Sequence, residues 1–470
     1  MRTSLSFLLV LAIGGAGCRT MAPEYARPAA PVPGAFPDAG TSTDARSAAD
    51  LPWQSFITDV SLRTLVSQAL ESNRDLRTAA LNIERAQALY RIQRSALLPA
   101  VNGTANGVRQ RIPEGLFGGA GGAFNAEQYS VGVGVSNYEL DIFGRIRSLN
   151  DVALQRFLAT EQVRRAVQIA LVAEVSQAYL TYAADQERLA LSRRTLDVQQ
   201  QSQRLAERRL EAGISNALAV RQAETTVAAA RADVARFTAL IAQDRNGLAL
   251  VIGRDVDPAL LPAGQTDTVT MLTELTAGLP SAVLQQRPDI LAAEHQLQAA
   301  NANIGVARAN FFPTISLTGS VGTASRSLGD LFTSGTGAWS FIPNLVAPIF
   351  NAGRNRATLE VSQIDRELAV AAYEQAIQGA FRDVADALAV RSTIDEELAA
   401  QQALQAAAAE SLRLAEARFR GGVDSYLPVL DATRVQYTSQ QGLIAVRLAR
   451  AVNSVALYRA LGGGWTEPLS

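Results

Sequence analysis

One histidine, one cysteine and no lysine limit the chemistry open to this chain. All 43 basic residues are arginine, which excludes a Walker A lysine, a Schiff-base lysine and a Ser–Lys pair. A Ser–His–Asp triad would have to use His295, and one imidazole cannot build a histidine-rich metal site. His295 falls on an expected helix ahead of Phe311-Phe312-Pro313 and reads as a surface position. No carboxylate, thiol or metal-ligand cluster rises above background, so the residues point away from an enzyme and require no metal or cofactor. A formal net charge of −1 gives no reason to expect nucleic acid as a partner.

The lone thiol stands at the end of a secretory-type start. Arg2, the apolar run LSFLLVLAI and then GGAG lead directly to Cys18, so residues 1–17 read as a secretory signal. This start resembles a bacterial lipoprotein signal, in which signal peptidase II leaves the cysteine as the first mature residue, carrying covalent lipid. The apolar run is too short for a lasting span, and no stretch of about 20 apolar residues follows it. With no second thiol, the mature chain can form no internal disulfide. Residues 18–60, rich in Pro, Ala and Gly, read as a lipidated extended arm laid along the body.

The body is built twice. RLAERRLEAGISNALAV at residues 204–220 recurs as RLAEARFRGGVDSYLPV at residues 413–429. One constant offset pairs Arg145 with Arg354, Gly213 with Gly422 and Gly253 with Gly462. A second pairs Leu70 with Leu284, Asp75 with Asp289 and Pro99 with Pro313, and the two are reconciled between the strands and Gly144/Gly353, where the second copy also carries the short insertion Asn351-Ala352. A repeat this long is a duplicated half-molecule rather than a solenoid unit. The halves are expected at 61–253 and 275–462, with a linker at 254–274 and a tail at 463–470.

Each half predicts the same order: short helix, two strands, long helix, short helix. From Arg145 to Ala212 there is neither Pro nor Gly, and helix-favouring residues dominate. Tyr182, Leu189, Leu196 and Leu210 follow a seven-residue spacing broken only by Gln203, which suggests a coiled-coil seam on a helix of about 100 Å. The turn GISN reverses the chain, with Ser215 or Asn216 as N-cap, and the return helix ends at Gly253. That helix and the one from Ser61 to Leu98 are each about half as long, so stacked end to end they match the long one. Strands are expected at Val101–Arg111, Tyr129–Leu140, Thr314–Thr323 and Trp339–Val346, with a glycine-rich loop at 113–128. Each approaches the 9–11 residues of a tilted membrane strand, and four such strands cannot close a barrel within one chain.

Three stretches, YELDIFGRIRS (138–148), RPDILAAEHQLQAANANIGVARANFFPTISLTG (287–319) and the paired turns, carry a resemblance to the TolC-like outer membrane efflux proteins. Within that family they resemble the lipoprotein channels serving resistance–nodulation–division (RND) pumps. The resemblance implies an α+β membrane protein, a homotrimer with a twelve-stranded outer membrane barrel and a periplasmic tunnel of long helical hairpins. It implies a periplasmic adaptor, an inner-membrane RND pump and outer membrane lipid as partners. By resemblance, Gly421, Gly422, Val423 and Asp424, with Gly213, Ile214 and Ser215 in the first half, form the tips that meet the adaptor. Leu427, Asp431 and Arg434 match positions that constrict the periplasmic entrance, and Pro428 leaves only one acidic ring there. Spacing alone reads Asp431 and Arg434 as a solvated i,i+3 pair. The implied function is passive export of small molecules. An exit channel for protein secretion and a poreless coiled-coil lipoprotein scaffold are the alternatives, and the Gly/Val-alternating strands argue against the scaffold.

Overall fold

A computed structural model describes residues 20–36, 51–113, 123–264 and 281–463. Cys18 and the signal segment lie outside these residues. The elements in order are α1 (Val60–Ser72), α2 (Arg74–Ser95), β1 (Val101–Ile112), β2 (Phe124–Leu140), α3 (Arg145–Glu211) and α4 (Ala217–Ile252). They continue with α5 (Pro288–Ala309), β3 (Thr314–Ser325), β4 (Gly337–Val346), α6 (Arg354–Arg420) and α7 (Leu427–Ala460). Contacts divide the chain into two units, each drawing on both repeats: residues 1–29, 83–160 and 293–373 in one, and 30–82, 161–292 and 374–470 in the other.

The first unit holds an antiparallel sheet in the order β1-β2-β3-β4. Directly opposed residues share a face, and the register sorts most side chains into an apolar and a polar face, with Val108 and Ile342 on the polar side and the Arg109–Glu127 pair on the apolar one. Val101 and Gly319 both oppose Val135, and Val321 opposes both Val133 and Trp339. With Phe341 and Leu345 these form an apolar face. Asn102, Thr104, Asn106, Ser316, Ser320, Ser340 and Asn344 occupy the other face, where the Ser320 and Ser340 hydroxyls lie 2.8 Å apart. Past Val135 the alternation would fail, because Tyr138 stands an odd number of residues away. A bulge repairs the parity, as three steps on β2 oppose two on β3 between Val135↔Gly319 and Tyr138↔Leu317. Asn137 takes a left-handed φ of 54° there, and its N–H donates to Thr318 Oγ1 at 3.0 Å. Strand β2 also starts at Phe124 instead of Tyr129, so the expected 113–128 loop shortens.

In the same unit the N-terminal arm is pinned to α5. Arg27 donates to both oxygens of the buried Glu294 at 2.8 and 2.7 Å, and the Tyr25 hydroxyl donates to it at 3.1 Å. Asn301 donates to Pro23 O and Arg308 to Met21 O. His295 is not a free surface residue as expected. It is half-buried, with Nδ1 2.8 Å from Gln155 Oε1 on α3.

The second unit contains the helix junctions. The expected helix from Ser61 to Leu98 is broken at Asn73 and ends at Ser95. Asn73 is extended, its Oδ1 accepts from Leu76 N, and its Nδ2 donates to Val251 O at 2.7 Å, so it caps α2 while gripping the end of α4. The second repeat makes the corresponding junction with Arg287, which donates to Ala460 O at 2.6 Å. The two short helices therefore do meet end to end. Left-handed glycines recur at matched places: Gly144 with Gly353, Gly213 with Gly422 and Gly253 with Gly462.

Helices α3 and α6 have 67 residues each, about 100 Å at 1.5 Å per residue. The expected leucine seam holds at Tyr182 and Leu189 and then fails: Leu196 is half-buried and Leu210 exposed. The buried stripe toward the turn runs instead through Asp185, Ser192, Gln199 and Ala206, on the same seven-residue spacing but shifted in phase. No helix among the described residues is long and apolar enough to cross a membrane.

Candidate functional site

The ends of the two helical hairpins meet in the second unit. In the first turn Gly213 has φ 73°, Ile214 is exposed and Ser215 half-buried, and Asn216 caps α4 by accepting from Ala219 N at 3.1 Å. In the second, Gly422 has φ 74° with open space where a Cβ would stand, Gly421 is exposed beside it, and Val423 projects into solvent. Asp424 is clamped by Arg418, whose Nε and Nη2 donate to its two oxygens at 2.5 and 3.0 Å. That hydrogen bonding holds the Asp424 carboxyl below the usual range.

Three residues not read from the sequence complete this end. Phe419 and Tyr426 pack with ring centroids 5.1 Å apart, and the Arg209 guanidinium lies 4.7 Å over the Phe419 ring. By the repeat, Arg209 corresponds to Arg418 and Ser215 to Asp424. The first half therefore offers Arg209 no acid in its own turn, and it crosses to the second half's aromatic ring. A cavity of about 390 Å³ opens between the turns, with Ile214, Ser215, Asp424 and Tyr426 among its walls.

The expected constriction residues begin with Leu427, the first residue of α7, and continue one and two turns along it with Asp431 and Arg434. Leu427 is exposed, and Arg434 Nη2 donates to Asp431 Oδ1 at 2.5 Å. Within one chain this pair closes along a single helix and does not reach a neighbouring one. Both side chains are largely exposed. With Leu427 they border a cavity of about 380 Å³ between α3, α4 and α7. Behind it lies a polar network. The Tyr437 hydroxyl donates to Asp233 at 2.8 Å and lies 2.9 Å from Ser192 Oγ, while Thr226 donates to Gln199 at 2.9 Å. Pro428 sits in the first turn of α7, where its missing N–H is tolerated.

Higher on α3, Asp185 is buried and receives Arg188 at 2.7 Å. Asp244 of α4 faces it. Burial first, then the charge and hydrogen bond of Asp185, push the Asp244 carboxyl up to about 6, with Arg188 opposing. Because the folded value exceeds the ordinary 3.8, folding favours the protonated form. The cost is absent below about pH 4, grows as the pH rises and is complete above about pH 6. Asp244→Asn should therefore stabilise the protein by about 1 kcal/mol at pH 8, after allowance for solvent screening, and by nearly nothing at pH 4. Thermal melts at the two pH values check this, and equal shifts at both would refute the like-charge account.

The comparisons with known proteins agree with this architecture. The family model described as "Outer membrane efflux protein" matches residues 65–254 and again 279–463. The chain is 46% identical over 471 residues to the probable efflux pump outer membrane protein TtgC of Pseudomonas putida, covering 99% of this chain and 97% of that protein. It is 46% identical to the outer membrane protein OprJ of Pseudomonas aeruginosa, covering 98% and 96%. The open state of the Neisseria gonorrhoeae MtrE outer membrane channel superposes with a TM-score of 0.87 at 40% identity, covering 95% of this chain and 99% of that one. The fold is thus shared along nearly the whole length. The chain belongs to the outer membrane efflux protein family, whose members are transport ducts of the outer membrane and not enzymes.

Proposed function

We propose that this chain is the trimeric exit duct of a three-part efflux pump, passing small molecules from a periplasmic adaptor and an inner-membrane RND pump to the exterior. The sheet carries this reading, because it has one apolar face, one polar face and two open edges. In lipid, each unpaired strand N–H or C=O costs several kcal/mol. Closure with two further copies pairs both edges. It turns Val133, Val321, Trp339 and Phe341 toward lipid, and Thr104, Ser320 and Ser340 toward an aqueous lumen. Lipid on Cys18 supplies a second anchor, supported by the position of Thr20 beside Phe311 and Phe312, just ahead of β3. Ile214 and Val423 present the apolar points of the tips to the adaptor, while three copies of Leu427, Asp431 and Arg434 narrow the entrance.

Native mass measurement in detergent should return a trimer of acylated protomers, and a stable folded monomer would sink the barrel reading. Trimers should conduct in planar bilayers. Arg434→Ala and Asp431→Ala should each raise single-channel conductance severalfold, and unchanged conductance in both would place the constriction elsewhere. At the tip, a Cβ added at Gly422 meets no neighbouring atom, so the backbone cost of Gly422→Trp is the left-handed φ strain of about 1–2 kcal/mol. It should leave trimer yield intact while abolishing drug efflux in cells, and a matching loss of trimer would make the glycine purely structural.

A further inference from the structure

The internal repeat shows that one contact is made within the chain and its counterpart is missing. In the first repeat, the loop after β2 carries Ile142-Phe143, and Phe143 stacks on Phe312 at the end of α5, with ring centroids 4.7 Å apart. A first-repeat loop thus packs on a second-repeat helix end. The loop after β4 repeats the pair as Ile349-Phe350, and the end of α2 repeats Phe312-Pro313 as Leu98-Pro99. Here neither partner is satisfied: Ile349 is 97% exposed, Phe350 88% and Leu98 73%.

Local chemistry explains why this second loop projects. Asp141 secures the first loop by accepting from the N–H groups of Ile146 and Arg147, both at 2.9 Å, and from the Arg147 side chain. The corresponding residue of the second loop is Pro348, which offers no side-chain acceptor. The second loop also carries the extra Asn351-Ala352, with Ala352 at φ 51°. The sheet repeats the same relation, since β2 of the first repeat pairs with β3 of the second, leaving β4 and β1 open. Those strands stand at opposite edges of one four-stranded sheet, so a single chain cannot bring them together.

We propose that Ile349-Phe350 is a docking plug that seats on Leu98-Pro99 of the next copy of this chain, repeating the Phe143–Phe312 contact across the subunit boundary. This rests on the trimeric reading above and adds to it the residues that join the copies. Each copy gives one plug and receives one, a head-to-tail contact that closes as a three-membered ring when successive copies are related by a third of a turn.

The test is a Leu98→Cys/Phe350→Cys double variant of the full chain, treated with a short bis-maleimide while native mass measurement follows trimer content. Covalent dimers and trimers should form only when both cysteines are present, and at least tenfold above either single variant. Intact trimers that fail to cross-link overturn the plug and leave the trimer standing. Monomers without cross-links, formed by the otherwise native chain as well, overturn both. Should the double variant not fold, p-benzoylphenylalanine at position 350 replaces it. Photolysis should then join position 350 to residues 95–101 of another copy. Capture of phospholipid, or of its own chain, would mean that the pair is a membrane-interface anchor and no plug.

Discussion

Gly253→Ala is expected to prevent stable accumulation of the folded protein, although it adds a single methyl group. Gly253 ends α4 with φ 84°, and a Cβ there would overlap Ser72 O and stand 2.9 Å from Ser72 C. Both are backbone atoms of the α1–α2 break, so neither can swing aside. The left-handed strain of about 1–2 kcal/mol adds to an overlap that only separation of the stacked helices can relieve. The sum reaches several kcal/mol against a stability of about 5–15. Two matched glycines supply the controls. At Gly462 the nearest atom is Arg287 Cγ at 3.2 Å, a side chain that can yield, so Gly462→Ala should be intermediate. At Gly213 nothing lies within 4 Å, so Gly213→Ala should cost about the φ strain alone. The amount of folded protein recovered from membranes should be lowest for Gly253→Ala, intermediate for Gly462→Ala and near wild type for Gly213→Ala, and equal losses at all three would show that the junction is not what Gly253 serves.

Glu294→Ala should detach the N-terminal arm. Glu294 is buried and holds Arg27 through two hydrogen bonds and Tyr25 through a third. Tyr25 is itself pushed up to about 12, first by burial and then by the Glu294 charge, so its phenol stays a donor throughout the physiological range. Deleting the carboxylate leaves an arginine and a phenol without their acceptor, a loss of about 2–3 kcal/mol given that Arg27 is half exposed. Amide exchange over residues 20–29 should speed up at least tenfold while α5 itself stays protected. Glu294→Gln, which keeps an acceptor for Tyr25, should fall between. If exchange in the arm does not change, the contacts of Asn301 and Arg308 to its backbone hold it unaided.

Much of this was legible in the amino-acid order. The duplication, the uninterrupted α3, the Gly253 end and the cap at Asn216 all follow from residue types whose local preferences agree with the fold. The break at Asn73 was hidden because asparagine forbids neither helix nor turn. Its role depends on Val251, far along the chain. The bulge at Asn137 was equally silent, since period-two patterning shows where alternation stops and not how it resumes. At the tips, Gly213, Gly422 and Asp424 were marked by resemblance. Arg209 over Phe419 was not, because the pairing crosses the two halves. The seam misled most. Leucines at seven-residue spacing pointed to one stripe, while burial chose the neighbouring one, made of Asp185, Ser192, Gln199 and Ala206.

That stripe bears on how much work it takes to part the helices. A leucine zipper resists separation through apolar area, and each leucine bared to water costs about 2 kcal/mol with no substitute available. Toward the turn, helix α3 meets α4 and α7 through the Ser192 hydroxyl and the Gln199 amide, joined by Tyr437, Thr226 and Asp233, beside one apolar contact of Ala184 and Leu191 with Ile444. Water can take over each of those hydrogen bonds at a net cost of about 1 kcal/mol. That polar part behaves like a hook-and-loop strip: its bonds release one at a time, and each open step is solvated as it forms, so only the short apolar contact has to repack on closing.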